Sequence, residues 1–385
     1  MHKIKIGIIG IGSMGAPVSQ LIAIDKQCPE LELTAICDKN KERLEWAEKT
    51  FKGQNISLFE NAEEMMDSGV VDAVYIAVPH YDHPKLAMMA FEKGHHVMLE
   101  KPAGVYTKVV REMNAAAKRA GVKFGMMFQN RTIAAYKKVK ELLDSGAYGQ
   151  IRNVTWIVTK WFRAQSYYDS GSWRATWAGE GGGVLLNQCP HQLDLLQWLC
   201  GMPEEIYAKC SVAQWHDVEI EDDVAAILKY KNGAHGSFIT STGIAPGTNR
   251  LEISTDKGTI IVDASFNVTI HELDISLADY KNSKTQAQKV TQINYTFSEE
   301  KLNRHCIALN AFAGAILRGE ELVANGEEGL NSLILSNAMY LSAWTNASIT
   351  LPFNEDLFYE ELQKRVATSK HKDVKDEISD ATTIY

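Results

Sequence analysis

The sequence has no run of 18 or more apolar residues, so no membrane-spanning helix is expected. It has no Cys-x-x-Cys pair either. Its six cysteines, at positions 28, 37, 189, 200, 210 and 306, are scattered, and no Cys/His cluster has zinc-finger spacing. That pattern points to reduced, structural thiols and a cytoplasmic setting. Positive charge is not in excess: 40 Lys and Arg against 48 Asp and Glu leave a net charge of −8. This argues against a protein built to wrap nucleic acid or to lie on anionic lipid. Met1-His2-Lys3 runs straight into Ile4–Ile9 and then glycines, so no secretory leader is expected. No internal repeat or low-complexity block is visible. What is present is an ordinary globular mixture, 45% hydrophobic and 23% charged, in 385 residues that suit two domains.

The first 125 residues alternate apolar runs with helical stretches. Ile4–Ile9, Leu33–Cys37, Val71–Val78, Val97–Leu99 and Val122–Met127 read as strands. Ala16–Asp25, Lys41–Phe51, Pro84–Lys93 and Thr107–Ala120 read as helices. Such alternation predicts an α/β domain, a doubly wound parallel sheet covered on both faces. After about residue 150 the pattern changes to strands at Ile151–Lys160, Ile206–Ala213, Val224–Tyr230, Gly236–Thr242, Arg250–Ser254 and Thr259–Val262. Lys231-Asn232-Gly233 and Asp256-Lys257-Gly258 carry hairpin-turn chemistry between consecutive runs. With helices at about His191–Leu199, Asn303–Leu317 and Gly329–Thr345, this predicts an α+β domain with a mostly antiparallel open sheet. The expected division is 1–125, 126–368 and a polar tail over 369–385.

Gly10-Ile11-Gly12-Ser13-Met14-Gly15 follows a strand and opens a helix. In that context G-x-G-x-x-G is a dinucleotide fingerprint. The first glycine makes the turn, the second admits the pyrophosphate and the third lets helix and strand pack closely. The free N–H groups of the helix start then hold the phosphates. Asp38 ends the second strand, where a carboxylate accepts ribose hydroxyls and repels a 2′-phosphate. NAD is therefore the expected cofactor, with NADP possible because Lys39 adjoins Asp38. The spacing from Gly10 to Asp38 exceeds the roughly 20 residues of the usual rule; the Gln27–Glu32 stretch accounts for the extra length.

Glu100-Lys101-Pro102 ends a strand at the carboxyl edge of the parallel sheet, where doubly wound folds bind ligands. Pro79-His80-Tyr81-Asp82-His83 follows the preceding strand at the same edge. Gly181-Gly182-Gly183 leads through Asn187 to His191 and Asp194, and Trp198-Leu199-Cys200-Gly201 closes that helix. Taken together, these elements resemble the Gfo/Idh/MocA family of sugar and polyol oxidoreductases, over roughly residues 3–350. The resemblance implies an N-terminal Rossmann domain and a C-terminal α+β domain whose open sheet serves as an oligomer interface, in a homodimer or homotetramer. It implies a carbohydrate substrate oxidised or reduced at one carbon with NAD or NADP. Cofactor contacts are expected from Gly10, Gly12, Ser13, Met14, Gly15 and Asp38, and along the sheet edge from Pro79, His80, His83, Glu100 and Lys101.

Alcohol oxidation needs a hydride acceptor, a base and a positive group for the developing alkoxide. The resemblance places Lys101 and His191 as the catalytic pair. An ammonium beside the reacting oxygen holds it more tightly as negative charge grows. Imidazole titrates near neutral pH and suits the proton transfer. The sequence leaves open which of the two takes the proton first. Many members of the family have an aspartate where this chain has Asn187, so an amide here orients without adding charge. In relatives the residue matching Asp194 contacts substrate hydroxyls; the competing reading is a buried carboxylate paired with an arginine. Two further readings of such a chain are a glycoside hydrolase working by transient oxidation and a non-catalytic NAD(P)-binding regulator.

Between residues 161 and 177 lie Trp161, Phe162, Arg163, Tyr167, Tyr168, Trp173, Arg174 and Trp177, against 9% aromatics in the whole chain. The segment reads as a loop over the cleft, with Arg163, Tyr168 and Trp173 at the sugar and Trp161 and Trp177 as core candidates. Aromatic faces stack on the C–H side of a pyranose and arginine donates to its hydroxyls. The alternative is a clasp between domains or subunits. His216, Glu221, Asp222 and Asp223 form an acidic patch, read here as the start of a strand rather than a metal site.

Overall fold

The alternation in the first 125 residues becomes one parallel sheet. The computed structural model describes residues 3–285, 287–298 and 301–370. Its first strands are β1 (Ile4–Ile9), β2 (Leu31–Cys37), β3 (Ser57–Phe59), β4 (Ala73–Ile76), β5 (His96–Leu99) and β6 (Phe124–Met126). Between them run α1 (Gly15–Ala23), α2 (Lys41–Thr50), α3 (Ala62–Asp67), α4 (Asp82–Glu92) and α5 (Thr107–Ala120). The strands lie in the order β3-β2-β1-β4-β5-β6, all parallel. The order reverses between β1 and β4, and that switch opens a crevice at the strands' carboxyl ends. Both faces are covered, which is why the strands are apolar throughout. Ile6, Ile8 and Tyr75 enter the core on one side; Ile9, Val74 and Ile76 enter the core on the other.

The second layer begins with α6 (Ala134–Asp144), β7 (Ile151–Val158), α7 (Gln165–Asp169) and α8 (Pro190–Cys200). Strands β8 (Glu205–Val212), β9 (Glu221–Lys229), β10 (His235–Ser241), β11 (Asn249–Thr255), β12 (Gly258–Val262) and β13 (Val268–Leu273) follow. The remaining elements are α9 (Leu277–Asn282), β14 (Val290–Tyr295), α10 (Arg304–Arg318), α11 (Gly329–Thr345), β15 (Ile349–Thr350) and α12 (Glu355–Ala367). Nine strands form one sheet in the order β14-β13-β12-β11-β7-β10-β9-β8-β15. Only β7 and β10 pair in parallel. Both expected hairpins form, β9–β10 around Lys231–Gly233 and β11–β12 around Asp256–Gly258. One face, with Val154, Trp156, Ala226 and Phe238, is buried in the core that also holds α8 and α11. The other face is open, and Ile227 of β9 is 57% exposed there.

Late in the chain, α10 returns to the first sheet. Its Cys306, Leu309, Phe312 and Ala313 share a core with Ile8, Ile36 and Met98. Asn310 donates to the Gln27 carbonyl at 3.0 Å, and Arg318 pairs with Glu30 at 2.5 Å. The stretch that lengthens the interval between Gly10 and Asp38 is therefore the seat of α10.

All six cysteines are free thiols. No helix among the described residues is long and apolar enough to cross a membrane. At the far end, Ser369 donates to Glu219 at 2.5 Å. The rest of the expected tail, 371–385, lies outside the described residues.

Candidate active site

The glycine loop is packed as its fingerprint requires. Gly10 has φ +87°, and a Cβ there would lie 2.5 Å from the Ala77 carbonyl oxygen. A Cβ on Gly15 would lie 1.9 Å from the Gly10 carbonyl oxygen, so no larger residue fits where strand meets helix. Gly12 differs: a Cβ there would meet only the Arg43 guanidinium, at 3.6 Å. Its open side, with Ser13 and Met14, forms the wall of a cleft at the start of α1. Asp38 is buried at the end of β2. Its carboxylate accepts from the Ile11 and Asn40 amides, each at 2.9 Å, with Arg43 Nη1 at 3.5 Å. A second recess, walled by Gly10, Asp38, Asn40 and Arg43, shares Arg43 and Pro79 with the cleft. A tight turn, an open glycine cradle, a helix start and an anchored carboxylate fit a dinucleotide.

Glu100 and Lys101 point in different directions. Buried Glu100 accepts from the Tyr75 hydroxyl and from the Lys101 amide at 3.1 Å. His305, at the start of α10, comes within 4.0 Å of it. Lys101 lines the cleft, and its Nζ donates to the Asn187 carbonyl at 2.9 Å. The ammonium thus bridges the first sheet and the loop that follows the glycine triplet.

Three buried histidines, His80, His83 and His191, and the partly buried His305 surround this lysine. Burial holds each below the ordinary imidazole range, and the Lys101 charge adds to the effect. His80 Nδ1 lies 2.9 Å from the Glu180 carbonyl. The two ring nitrogens of His83 face the carbonyls of Pro102 and Val78 at 2.7 and 2.8 Å. His191 sits in the first turn of α8, beside the Phe128 ring at 6.1 Å, with its buried Nδ1 unpartnered. It is 6% exposed and, unlike His80 and His83, is not part of the cleft lining.

The loop before α8 is held from below. Glu221 is fully buried and accepts from the Gly183 and Leu185 amides, each at 2.9 Å, and from the Tyr340 hydroxyl at 2.7 Å. Burial pushes its carboxyl up to about 7. Asn187 lines the cleft, and its Nδ2 donates to Glu180 and to the Tyr167 hydroxyl. Glu180 was not anticipated, although a carboxylate abutting the glycine triplet is a visible signal.

Placement within the aromatic segment differs from expectation. Trp173 lines the cleft, but Tyr168 and Arg163 do not. The single turn of α7 sends neighbouring residues to different faces. Tyr168 turns inward onto Thr242 Oγ1 at 2.7 Å and is 2% exposed, whereas Tyr167 takes the cleft wall. Arg163 folds back on the Phe162 carbonyl at 3.2 Å and over the Tyr167 ring. From this segment the guanidinium on the wall is that of Arg174, between the Trp173 and Tyr167 rings at 4.7 and 4.8 Å. Trp177 packs in the core against Tyr340 and Trp344.

Asp194, expected at the substrate, is instead 1% exposed and gripped by Arg131 through two hydrogen bonds of 2.8 and 2.6 Å. Nine residues of α8 are buried, Asp194 among them, and Asp194 is not part of the cleft lining. The acidic patch is likewise internal scaffolding. Asp222 accepts from the Gln214, Trp215 and His216 amides and from the His216 ring at 2.8 Å, and His216 Nε2 reaches the Arg163 carbonyl.

Residues 4–128 match a family model described as an oxidoreductase family with an NAD-binding Rossmann fold. Residues 136–261 match one described as the GFO/IDH/MocA C-terminal domain. The myo-inositol 2-dehydrogenase of Thermotoga maritima is 25% identical over 352 residues, 90% of this chain and 98% of that protein. The trans-1,2-dihydrobenzene-1,2-diol dehydrogenase of Bos taurus is 30% identical over 255 residues, 65% of this chain and 72% of that protein. Among solved structures, the WlbA dehydrogenase of Bordetella pertussis in complex with NADH and UDP-GlcNAcA superposes with a TM-score of 0.75. It is 30% identical, and the match covers 92% of this chain and 100% of that one. The chain therefore belongs to the GFO/IDH/MocA family of NAD-binding oxidoreductases.

Proposed function

We propose that the protein transfers a hydride between NAD and one CH–OH carbon of a sugar, glycoside or cyclitol. The observation that carries this reading is the position of Lys101. Its ammonium shares one cleft with the Gly12–Met14 cradle and is held 2.9 Å from the Asn187 carbonyl. NAD, when bound, supplies the hydride acceptor. Gly12, Ser13 and Met14 receive the diphosphate at the start of α1, and Asp38 takes the ribose hydroxyls. Pro79, His80, His83 and Glu100 shape the neighbouring edge. Lys101 presents its charge to the substrate oxygen, where negative charge develops as the proton leaves. His191 lies just outside the cleft lining; burial and the Lys101 charge hold its ring below the ordinary imidazole range, which favours a lone pair free to take that proton. Trp173, Tyr167, Arg174 and Asn187 form the wall that orients the sugar. The names of the relatives, among them an inositol dehydrogenase, support this substrate class.

The test is to incubate the protein with NAD and a panel of cyclitols, glycosides and nucleotide sugars, following reduced-nicotinamide absorbance. No turnover across the panel in either direction overturns the reading. Release of aglycone without net reduced cofactor favours redox-assisted hydrolysis instead. The open face of the nine-stranded sheet supports assembly as a dimer or tetramer, and the six free thiols support a reducing, cytoplasmic setting.

Asp38→Ser is expected to raise KM for NAD roughly tenfold, the size of one lost hydrogen bond to a charged group, and to improve use of NADP. Steady-state kinetics with both cofactors check it. A native enzyme that already prefers NADP rules out this role for Asp38.

A further inference from the structure

We propose that Glu180 is a positioning residue of the cleft. Its carboxylate fixes the amide of Asn187 with Oδ1 presented to the substrate as the acceptor for a hydroxyl. This rests on the reading of the cleft as a sugar site.

Glu180 is 2% exposed, and both of its oxygens are in use. Oε2 accepts from the Ala175 amide at 2.7 Å, and Oε1 accepts from Asn187 Nδ2. An ionised carboxylate only accepts, so the amide of Asn187 must turn its nitrogen toward it. The same nitrogen lies 3.3 Å from the Tyr167 hydroxyl. That hydroxyl also receives Arg174 Nη1 at 3.0 Å and Gln188 Nε2 at 3.2 Å. With Nδ2 held by Glu180 and facing a Tyr167 hydroxyl whose two lone pairs the shorter bonds already use, Oδ1 is what the Asn187 side chain has left to offer the cleft it lines. The main chain of these two residues holds the machinery on either side. The Asn187 carbonyl receives Lys101 Nζ, and the Glu180 carbonyl faces His80 Nδ1. The carboxyl group of this corner thus belongs to Glu180, one residue removed from the substrate, and a neutral amide makes the contact.

A merely structural Glu180 would brace the turn through Ala175 and leave sugar binding alone. Three variants separate the two roles. In Glu180→Gln the side chain has one acceptor for two donors, so either Ala175 N–H or Asn187 Nδ2 loses its partner. Sugar KM is expected to rise about three- to tenfold, as for one ordinary hydrogen bond, with KM for NAD unchanged. Asn187→Asp sets two carboxylates against each other, lowering Tm and raising sugar KM further. The double variant Glu180→Gln/Asn187→Asp inverts the pair. The new amide donates to position 187 and accepts from Ala175, and both Tm and sugar KM are expected to recover relative to Asn187→Asp. Wild-type kinetics in Glu180→Gln, or a double variant no better than the worse single one, overturns the proposal. The Tm rescue needs no substrate. A wild-type protein that oxidises nothing in the panel while the Tm rescue holds therefore faults the functional reading and not the pairing.

Discussion

Lys101→Ala is expected to lower kcat on the order of 10²-fold or more, the range for a lost group that stabilises developing charge. NADH binding, read by fluorescence titration, should stay within a few-fold of wild type. The ammonium is anchored on the Asn187 carbonyl, so its removal also frees a main-chain acceptor on the cleft wall. His191→Ala is expected to cost on the order of 10²–10⁴-fold, the range for general acid–base catalysis. The two losses have different pH signatures. Burial and the Lys101 charge hold the His191 ring below the ordinary imidazole range. The neutral ring is therefore available as a base at pH values where a free histidine, with pKa about 6.5, would already be protonated. The acidic limb of kcat/KM for oxidation should lie below that value, and Lys101→Gln should move it upward by removing one of the charges that depress it. Near-normal turnover in either alanine variant removes that residue from the mechanism.

Asp194→Ala is expected to destabilise the protein by about 3–5 kcal/mol, the usual consequence of leaving a buried charge without its partner. Arg131 keeps only Glu328, at 2.6 Å, and its own side chain is 3% exposed. Chemical denaturation should show a much lower midpoint, while the folded fraction keeps sugar KM near wild type. A tenfold rise in sugar KM with unchanged stability would return Asp194 to the substrate. The corresponding change at Arg131 should cost a similar amount, and the double replacement less than the sum, because the two losses are one interaction.

The parts legible in the sequence are those whose information is local. Thr107–Ala120 and Gly329–Thr345 form with the expected bounds, because the helical pattern lies within each segment; in the first an apolar stripe stops at Gly121. The glycine loop was legible for the same reason: the turn, the cradle and the close contact belong to one contiguous hexapeptide. Strand β3 escaped, being three residues long with no buried position. Helix α6 also escaped, although Ala135, Tyr136 and Val139 fall on one buried face and the spacing was there to be read. Helix α12 and strands β13, β14 and β15 are not among the expected elements. Within the site, the choice between Tyr167 and Tyr168 depends on the phase of one helical turn, which composition does not encode. The partner of Asp194 comes from the turn at Gln129–Thr132, and that pairing exists only once α8 has docked. Glu180 needed the same knowledge: its carboxylate matters because a turn folds Ala175 and Asn187 back onto it.

The return of α10 makes the nucleotide-binding layer discontinuous in the chain. A fragment ending near residue 126 would contain all six strands of the first sheet and every residue of the glycine loop. It would leave Ile8, Ile36 and Met98 facing water, where Leu309 and Phe312 belong. During synthesis that face stays uncovered until residue 318 has left the ribosome, by which time eight of the nine strands of the second sheet have emerged and only β15 is still to come. N-terminal units usually fold first as they appear, but here the first unit waits for the second. Vectorial folding therefore gives way to joint folding, and a chaperone has one apolar surface to shield for most of the translation time. A workable minimal nucleotide-binding fragment would splice α10 directly after β6, across an interval that the chain normally fills with its substrate layer.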